Sequence, residues 1–333
     1  MKTIKDVAEL AKVSTATVSN VLSGKRYVSP ELVKRVKNAI LHLNYKPSAI
    51  AKSLKTNKTN TIGVIVSDIQ NPYYAGVVAA INTYCFKKGY GVILGESYEN
   101  PKRQEYAINL MLEKRVDGFI IAPVGKNREE LDLLIKSQIP FLLINRTFPG
   151  YDGCSVTVDN EGGAYKITKY LIELGHNRIA IVCGPKEYST TQERLAGYLR
   201  AYRESKISTD NELIGFSKLE IQPVYKKAMT ILKKSPTAIF ATNNIITIGC
   251  LLALKKTKKM VPEDVSFVSF EFEENPLPSI VKPSLTCVVQ PGNRVGMEAA
   301  KILLARLFKK VCKDRVVLKT KIILGESTAP APK

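Results

Sequence analysis

The first 45 residues carry apolar side chains at the spacing of three short helices. Ile4, Val7 and Ala11 recur at intervals of three and four residues, which is the apolar stripe of a helix that packs on a core. Ser14 is a favoured N-cap residue and predicts a second helix directly after a tight turn. A serine followed by Pro30 predicts the start of a third. Together these features predict a helix-turn-helix module.

The pattern changes at Thr61 to short apolar runs that alternate with amphipathic stretches. The apolar runs predict strands near 62–66, 91–94, 118–122, 141–144, 178–182, 213–216, 238–241 and 265–268. The amphipathic stretches predict helices near 74–88, 102–115, 128–137, 161–174, 194–205, 223–234 and 245–257. Such alternation is typical of a parallel sheet covered on both faces. Two successive sets predict two doubly wound α/β subdomains, with a ligand cleft between them at the carboxyl ends of the strands.

The outward face of the second predicted helix carries only short side chains. Thr15, Ala16, Thr17, Ser19 and Asn20 offer hydroxyl, amide and methyl groups without a long charged side chain. Such a face can approach the major groove of DNA closely, where hydroxyls and amides meet base edges and methyl groups meet thymine. The alternative is a merely solvated face, but solvated helices usually carry Lys and Glu. The pattern therefore favours a DNA-recognition helix.

The charge distribution supports a nucleic-acid module at the N-terminus. The chain has 50 Lys and Arg against 30 Asp and Glu, a net charge of +20. Residues 1–60 hold 12 of the basic and 3 of the acidic residues, a net charge of +9, while the other 273 residues share +11. A concentrated positive field attracts polyanions. The hydrophobic fraction of 45% is ordinary for a globular protein and excludes a chain that is mainly disordered.

Three observations argue against metal, catalytic and membrane functions. The six cysteines lie at least 25 residues apart and form no CxxC pair, so no metal site is expected. The two histidines, His42 and His176, have no partner cluster for catalysis, and His176 is expected to be structural. The chain starts without an apolar signal segment, and the uncharged stretch 235–254 is interpreted as strand, loop and helix. We therefore expect a cytoplasmic protein without membrane association, enzymatic activity or cofactor.

Two segments resemble the lactose/galactose repressor (LacI/GalR) family. The run IKDVAELAKVSTATVSNVL at 4–22 resembles the start of its DNA-binding domain, and the run YKPSAIAKSLK at 45–55 resembles its hinge helix. The resemblance implies a helix-turn-helix domain with hinge helix at 1–56 (hinge about 48–56), a linker at 57–60 and an effector-binding and dimerisation core at 61–333. In this periplasmic-binding-protein-like core it implies an N-subdomain of about 61–159 and 291–318 and a C-subdomain of about 160–290 and 319–333.

The resemblance also implies DNA contacts of three kinds. Base contacts in the major groove are implied for Thr15, Ala16 and Asn20, phosphate contacts for Ser14, Thr17 and Tyr45, and minor-groove contacts for Ala51, Leu54 and Lys55. Arg26 is implied to reach a base or a phosphate near the groove edge. Leu54 from two subunits would form an apolar wedge that kinks the duplex at a central base step. The alternative role of Leu54 is packing within the hinge helix.

By the same resemblance, seven residues line a pocket for a small-molecule effector: Tyr73, Tyr74, Asn145, Tyr188, Arg194, Asn244 and Glu271. Aromatic rings can stack on a flat ligand or a sugar face, and an arginine offers five donors to an oxygen-rich ligand. Family members often have Asp where Asn244 stands, and Gly-aromatic-Asp where this chain has Ser269-Phe-Glu271. These changes argue against a simple sugar. For each residue the alternative role is packing between loops or subdomains.

The sequence therefore predicts a transcriptional regulator, a dimeric repressor that binds a palindromic DNA operator and responds to a sugar or related metabolite in the cleft. Control by a protein co-repressor or by an atypical non-sugar ligand is the alternative within the same family. A solute-binding protein would share the core but not the DNA-binding module, and an enzyme would need catalytic residues that the sequence lacks. Residues 325–333 have no heptad pattern, so a homodimer is expected rather than a tetramer held by a coiled coil.

Overall fold

The computed structural model of the protein describes residues 2–24, 26–46, 58–124, 129–148, 150–272 and 277–332. The chain forms two compact units, Met1–Thr59 and Asn60–Lys333. Within the described residues, the first unit is a bundle of three helices and the second contains two six-stranded sheets. The predicted hinge helix at about 48–56 lies outside the described residues.

Side-chain caps begin the first two helices of the N-terminal unit, whereas Ser29, the predicted cap of the third, makes no side-chain cap hydrogen bond. The Thr3 side chain accepts a hydrogen bond from the Asp6 amide, and the Asp6 carboxylate accepts one from the Thr3 amide. Ser14 Oγ accepts from the Thr17 amide at 3.1 Å, and Gly24 ends the second helix in the left-handed conformation with φ +63°. The helices are α1 (Ile4–Leu10), α2 (Thr15–Ser23) and α3 (Pro30–His42).

The core of this unit is small and aliphatic. Val7, Val18 and Val36, one from each helix, are completely buried, and Tyr45 is half-buried against the same cluster. Arg35 Nη2 donates to the C-cap carbonyl oxygen of α1 at 2.6 Å and so ties α3 to the turn between α1 and α2. The predicted helix-turn-helix module is confirmed, and its core holds the outer face of α2 toward solvent.

The second unit contains two sheets of six strands each. The strands are β1 (Thr61–Val66), β2 (Gly91–Glu96), β3 (Gly118–Ile121), β4 (Phe141–Ile144), β5 (Ser155–Val158), β6 (Ile179–Cys183), β7 (Ile214–Phe216), β8 (Ala238–Ala241), β9 (Ser266–Phe272), β10 (Thr286–Gln290), β11 (Arg315–Leu318) and β12 (Lys321–Ile323). The first sheet has the order β11-β5-β4-β3-β1-β2 and is parallel throughout. The second has the order β12-β10-β9-β8-β6-β7, and β12 is antiparallel to β10, which departs from the predicted parallel sheet.

Helices cover both faces of each sheet, as the strand–helix alternation predicts. They are α4 (Pro72–Lys87), α5 (Pro101–Glu113), α6 (Glu129–Lys136), α7 (Asn160–Glu173), α8 (Ser189–Glu204), α9 (Ile221–Leu232), α10 (Asn244–Thr257), α11 (Leu277–Ile280) and α12 (Gly292–Leu307). On the first sheet, α4 and α12 pack on one face and α5 and α6 on the other. On the second, α9 and α10 lie opposite α7 and α8. Each sheet is therefore the middle layer of an α/β/α subdomain.

The chain passes between the two sheets three times. The first sheet contains β1 to β5, from residues 61–158, and β11. The second sheet contains β6 to β10, from residues 179–290, and β12. Because parallel strands end at the same edge of a sheet, the loops that follow them gather between the two subdomains. Among the described residues, no helix is both long and apolar enough to span a membrane.

Most predicted elements are confirmed to within a few residues, and the differences have local causes. Helix α8 begins at Ser189, five residues before its predicted start. The prediction began too late because the first turn of the helix is polar and carries no apolar signal. Strands β5, β10, β11 and β12 were not predicted; in β5, serine and threonine occupy two of the four positions. Helix α12 was also missed, although Val295, Ala299 and Leu303 give it a regular buried stripe.

Helices α4 and α12 approach so closely that Gly296 leaves no room for a side chain. A Cβ at Gly296 would lie 2.2 Å from the carbonyl oxygen of Val77, and backbone atoms cannot move aside as a flexible side chain can. We expect Gly296→Ala to lower the free energy of unfolding by about 2 kcal/mol or more, measured by urea denaturation followed by circular dichroism.

The matched control is Gly76→Ala in α4. The nearest atom to a Cβ at Gly76 is Asn293 Oδ1 at 3.5 Å, an ordinary contact. This change is expected to be neutral or to stabilise the protein by a few tenths of a kcal/mol, because alanine is the better helix former. Equal stability of the two variants would contradict the close packing at Gly296.

Candidate functional site

The outer face of α2 presents the short side chains on which the DNA interpretation depends. Thr15 and Ala16 are exposed, and Thr17 and Asn20 are half-buried. The Ser14 and Thr17 hydroxyls lie 2.9 Å apart, so the cap of α2 orders both of them. With no long side chain among them, this face can approach a groove at van der Waals distance.

The other predicted DNA contacts are distributed around this unit or lie beyond it. Arg26 is exposed in the segment between α2 and α3. Tyr45 packs against the helix core with part of its ring accessible. The predicted minor-groove residues Ala51, Leu54 and Lys55 lie outside the described residues.

A cavity of about 490 Å³ lies between the two subdomains of the second unit, at the carboxyl ends of their strands. All seven predicted pocket residues line it: Tyr73, Tyr74, Asn145, Tyr188, Arg194, Asn244 and Glu271. They come from five chain segments, each at the carboxyl end of a strand or in the helix start that follows it. The topology of the two sheets therefore brings together residues that are far apart in sequence.

Tyr73 and Tyr74 enter the cavity from the first turn of α4. Asn71 caps this helix by accepting from the Tyr73 amide at 3.1 Å, and the two rings meet edge to face with centroids 5.2 Å apart. Asn145 Nδ2 donates to the Tyr74 hydroxyl at 3.0 Å from a left-handed backbone with φ +65°. These contacts fix an aromatic wall on the N-subdomain side.

Glu99 and Arg146 form a two-pronged ion pair inside the cavity. Arg146 Nη1 and Nη2 donate to the two Glu99 carboxylate oxygens at 2.7 and 2.9 Å. The Ser67 and Tyr188 hydroxyls donate to the same carboxylate, each at 2.7 Å. Burial alone would raise the pKa of Glu99, but the charge and hydrogen bonds of Arg146, with those of Tyr188 and Ser67, lower it to about 2.

Four contacts cross the cleft from one subdomain to the other. Tyr188, at the start of α8, donates to Glu99, and its ring stacks against Arg146 with the guanidinium carbon 3.9 Å from the centroid. The Thr147 amide donates to the Ser189 hydroxyl at 3.1 Å. Asn244 Nδ2 donates to Asn71 Oδ1 at 2.9 Å. The cleft is therefore closed by the protein's own side chains.

Arg194 is buried in the C-subdomain wall, where it is 5% exposed. Its Nε donates to Asn160 Oδ1 at 2.8 Å, Nη1 donates to the Thr242 carbonyl oxygen, and the guanidinium lies 3.7 Å from the centroid of the Phe270 ring. Burial lowers the pKa of Arg194 to about 10, since the charged form loses its water. The guanidinium is thus oriented before any ligand arrives.

Glu271 and Gln290 complete the lining at the ends of β9 and β10. Glu271 is 1% exposed, and Thr247 Oγ1 donates to its carboxylate at 2.7 Å. Gln290 Oε1 is buried, and within the described part of the chain no donor reaches it. A buried acceptor of this kind is satisfied when a ligand with a hydroxyl or N–H group enters.

The charges around the cavity nearly cancel in its interior. The inner lining contains two arginines, Arg146 and Arg194, and two glutamates, Glu99 and Glu271. The more exposed lining carries Asp68, Glu187 and Glu220 together with Lys218. Such a cavity suits an uncharged ligand that has several hydrogen-bonding groups. Among the described residues, no cluster of three or more His, Cys, Asp or Glu side chains could hold a metal ion.

His176 takes part in packing rather than in the cleft. It is 1% exposed, its Nδ1 lies 3.0 Å from Thr237 Oγ1, and its Nε2 lies 3.0 Å from both Ser266 Oγ and the Ala329 carbonyl oxygen. These contacts hold the C-terminal segment against the second sheet, which agrees with the structural role expected from sequence.

Two family models match this chain one after the other. Residues 3–48 match the bacterial regulatory proteins of the lacI family. Residues 59–322 match the periplasmic binding proteins and sugar-binding domain of the LacI family. This chain belongs to the LacI family of transcriptional regulators.

Full-length relatives of this LacI-family protein are named as repressors. The chain is 37% identical to the HTH-type transcriptional repressor PurR of Aliivibrio fischeri (strain MJ11), over 95% of both chains. It is 33% identical to the ribose operon repressor of Haemophilus influenzae, over 92% of both. Among solved structures, it resembles the transcriptional regulator CelR in complex with cellobiose, with a TM-score of 0.75, 27% identity and coverage of 98% of this chain and 100% of that one.

Glu99 is a cleft residue of this LacI-family protein that the sequence analysis did not indicate, as is Gln290. Glu99 lies between β2 and the start of α5 at Asn100-Pro101. Its position after a strand was the one feature of the sequence that could have indicated a cleft residue. Arg146 stands beside the predicted Asn145 and is brought into the cavity by the same strand end.

The Glu99–Arg146 pair predicts a particular pH dependence of stability. The pKa of Glu99 is lower in the folded protein than its ordinary value of 4.5, so its stabilisation is complete above about pH 4.5 and is lost as the pH falls toward about 2. Glu99→Gln is expected to lower the free energy of unfolding at pH 7 by no more than about 3 kcal/mol, and the difference from wild type should shrink below pH 4.5.

The control for this titration is Glu212→Gln, which breaks an exposed ion pair with Lys234. Exposed pairs contribute little to stability, so this variant should follow the wild type at every pH. Chemical denaturation between pH 7 and pH 3 measures both differences. A stability difference for Glu99→Gln that stays constant over this range would show that the carboxylate charge is not the cause.

Proposed function

We propose that this LacI-family protein is a dimeric repressor that binds a palindromic operator and responds to an uncharged small molecule in its cleft. The observation that carries the proposal is the match of one chain to both a lacI-type DNA-binding domain and the family's ligand-binding core. Two identical helix-turn-helix units on two-fold-related half-sites account for a palindrome. The full-length relatives are named as repressors, which supports repression of transcription as the effect of DNA binding.

For DNA recognition we propose the division of roles that the resemblance implies. Thr15, Ala16 and Asn20 contact bases, and Ser14 and Thr17 contact phosphates through the hydroxyls ordered at the start of α2. Tyr45 and Arg26 make further backbone or groove-edge contacts. Ala51, Leu54 and Lys55 enter the minor groove, where the Leu54 wedge favours a flexible pyrimidine–purine step.

For the effector we propose a ligand with several hydroxyl, amide or ring-nitrogen groups. Tyr73 and Tyr74 offer ring faces, while Arg194 and Asn244 offer donors. Glu271 and Gln290 offer acceptors for ligand hydroxyl or N–H groups. CelR, with which the chain shares its fold, is described in complex with cellobiose, an uncharged sugar. The interior charge balance of the cavity supports the same class.

We also infer that the protein is not an enzyme and acts in the bacterial cytoplasm, where operator DNA is found. Among the described residues that line the cavity there is no histidine or cysteine, and the hydroxyls of Ser67 and Tyr188 are both committed to Glu99. Glu99, whose pKa is lowered to about 2, is too weak a base to activate either hydroxyl as a nucleophile. We place the subdomain boundaries near 159, 290 and 318, where the chain passes between the sheets.

Selection from random DNA tests this proposal. The full-length protein is expected to enrich a palindrome with two half-sites. Asn20→Ala is expected to weaken binding to that palindrome by about tenfold or more, because a lost base contact costs 1–3 kcal/mol, while binding to random DNA stays the same.

The control variant is Asn38→Ala, on the exposed face of α3. It makes the same chemical change outside the proposed recognition face and is expected to leave both affinities unchanged. Loss of specific and non-specific binding in equal measure for Asn20→Ala would argue against base readout by α2. Enrichment of no sequence by the wild type would argue against the operator itself.

A further inference from the structure

The guanidinium of Arg146 already holds an anion, the carboxylate of Glu99. Both of its Nη atoms donate to Glu99, and the Tyr188 ring covers one of its faces at 3.9 Å. Its Nε atom is buried and, within the described residues, has no acceptor. An arginine in a ligand cleft is usually the group that holds a carboxylate or phosphate. Here that place is taken by a carboxylate of the protein itself.

The backbone is strained to put Glu99 in this place. Tyr98 and Glu99 both have left-handed conformations, with φ of 47° and 55°, which side chains other than glycine rarely adopt. The Tyr98 amide donates to the Ser67 carbonyl oxygen at 2.7 Å, which fixes the turn against the end of β1. Strain at two successive residues beside a ligand cavity indicates a selected position rather than an incidental contact.

We propose that Glu99 is a specificity-determining residue: it occupies Arg146 as an internal anion, so that the cleft rejects anionic effectors and admits uncharged ones. The inference rests on the proposed function of the cleft as the effector site. It adds that Glu99 determines which effector charge the cleft accepts, because Glu99 competes with ligand anions for the same guanidinium.

The second arginine does not restore an anion site. Two donors of Arg194 are bound to Asn160 and to the Thr242 carbonyl oxygen, and the buried carboxylate of Glu271 lies in the same lining. The exposed part of the lining is acidic in balance. With Glu99 charged, each buried arginine is already bonded to acceptors of the protein, and the cation of Lys218 lies in the exposed lining with three acidic residues. With Glu99 neutral, the interior gains one positive charge at Arg146.

Titration with inorganic phosphate tests this proposal on the full-length protein. Wild type is expected to show no saturable binding in the millimolar range by isothermal titration calorimetry at pH 7. Glu99→Gln keeps the size and the hydrogen-bonding oxygen of the side chain but removes its charge. It is expected to bind phosphate about tenfold or more tightly than wild type, as expected for one charge at hydrogen-bond distance in a desolvated site.

Two further variants locate the effect. Glu204→Gln is the matched control, because Glu204 also accepts from a tyrosine and an arginine, Tyr165 and Arg200, but on the protein surface. It changes the net charge equally and is expected to leave phosphate binding as in wild type. The double variant Glu99→Gln with Arg146→Met is expected to lose the binding that Glu99→Gln gained.

Equal phosphate affinity in wild type and Glu99→Gln would overturn the proposal, as would a gain that survives in the double variant. Should Glu99→Gln fail to fold, the titration of the wild type decides alone. Saturable phosphate binding that Arg146→Met abolishes would contradict the proposal that Glu99 occupies the guanidinium. Absence of saturable binding would support it. The titration needs neither DNA nor an identified effector. Its failure therefore leaves the repressor assignment standing, and a failure to bind any operator leaves the titration valid.

Discussion

The buried charge of Arg146 is the constraint on which the organisation of the cleft depends. An arginine that is 6% exposed needs a counter-charge and acceptors close by, because an unpaired buried charge costs several kcal/mol. Glu99 supplies both, at the expense of two left-handed residues in its turn. The same carboxylate accepts the hydroxyl of Tyr188 from the other subdomain. Glu99 therefore both neutralises the arginine and connects the two subdomains across the cleft.

This arrangement limits how a ligand can control the protein. An effector shifts an equilibrium only through different affinities for two states. The contacts of Tyr188 with Glu99, of Ser189 with Thr147 and of Asn244 with the start of α4 all cross the cleft, so a ligand that enters must replace or extend them. A molecule that does so with uncharged donors and acceptors leaves the Glu99–Arg146 pair intact. Specificity and conformational control thus share the same side chains.

Local periodicity was sufficient to predict the two doubly wound subdomains, because burial follows it. The seven predicted cleft residues came from the family resemblance, and they meet because parallel strands end at the same edge of a sheet. Tyr73 and Arg194 lie far apart in the chain, yet both line the cavity by following strands of adjoining sheets. The role of Glu99 could not be predicted from the sequence for two reasons. Its position depends on left-handed backbone at residues that do not favour it, and its partner Arg146 lies 47 residues away. Local patterns carry neither kind of information.

The proposed repressor responds to a ligand in its cleft, which requires that the contacts across the cleft influence DNA binding, and Tyr188→Phe tests this requirement most directly. The change removes the hydroxyl that reaches Glu99 across the cleft and leaves the ring on Arg146. Operator affinity of the full-length protein, measured by fluorescence anisotropy, should change by about fivefold or more. Tyr165→Phe removes a comparable tyrosine–glutamate hydrogen bond on α7, outside the cavity, and should leave the affinity unchanged. Wild-type affinity in both variants would contradict the coupling of cleft and operator.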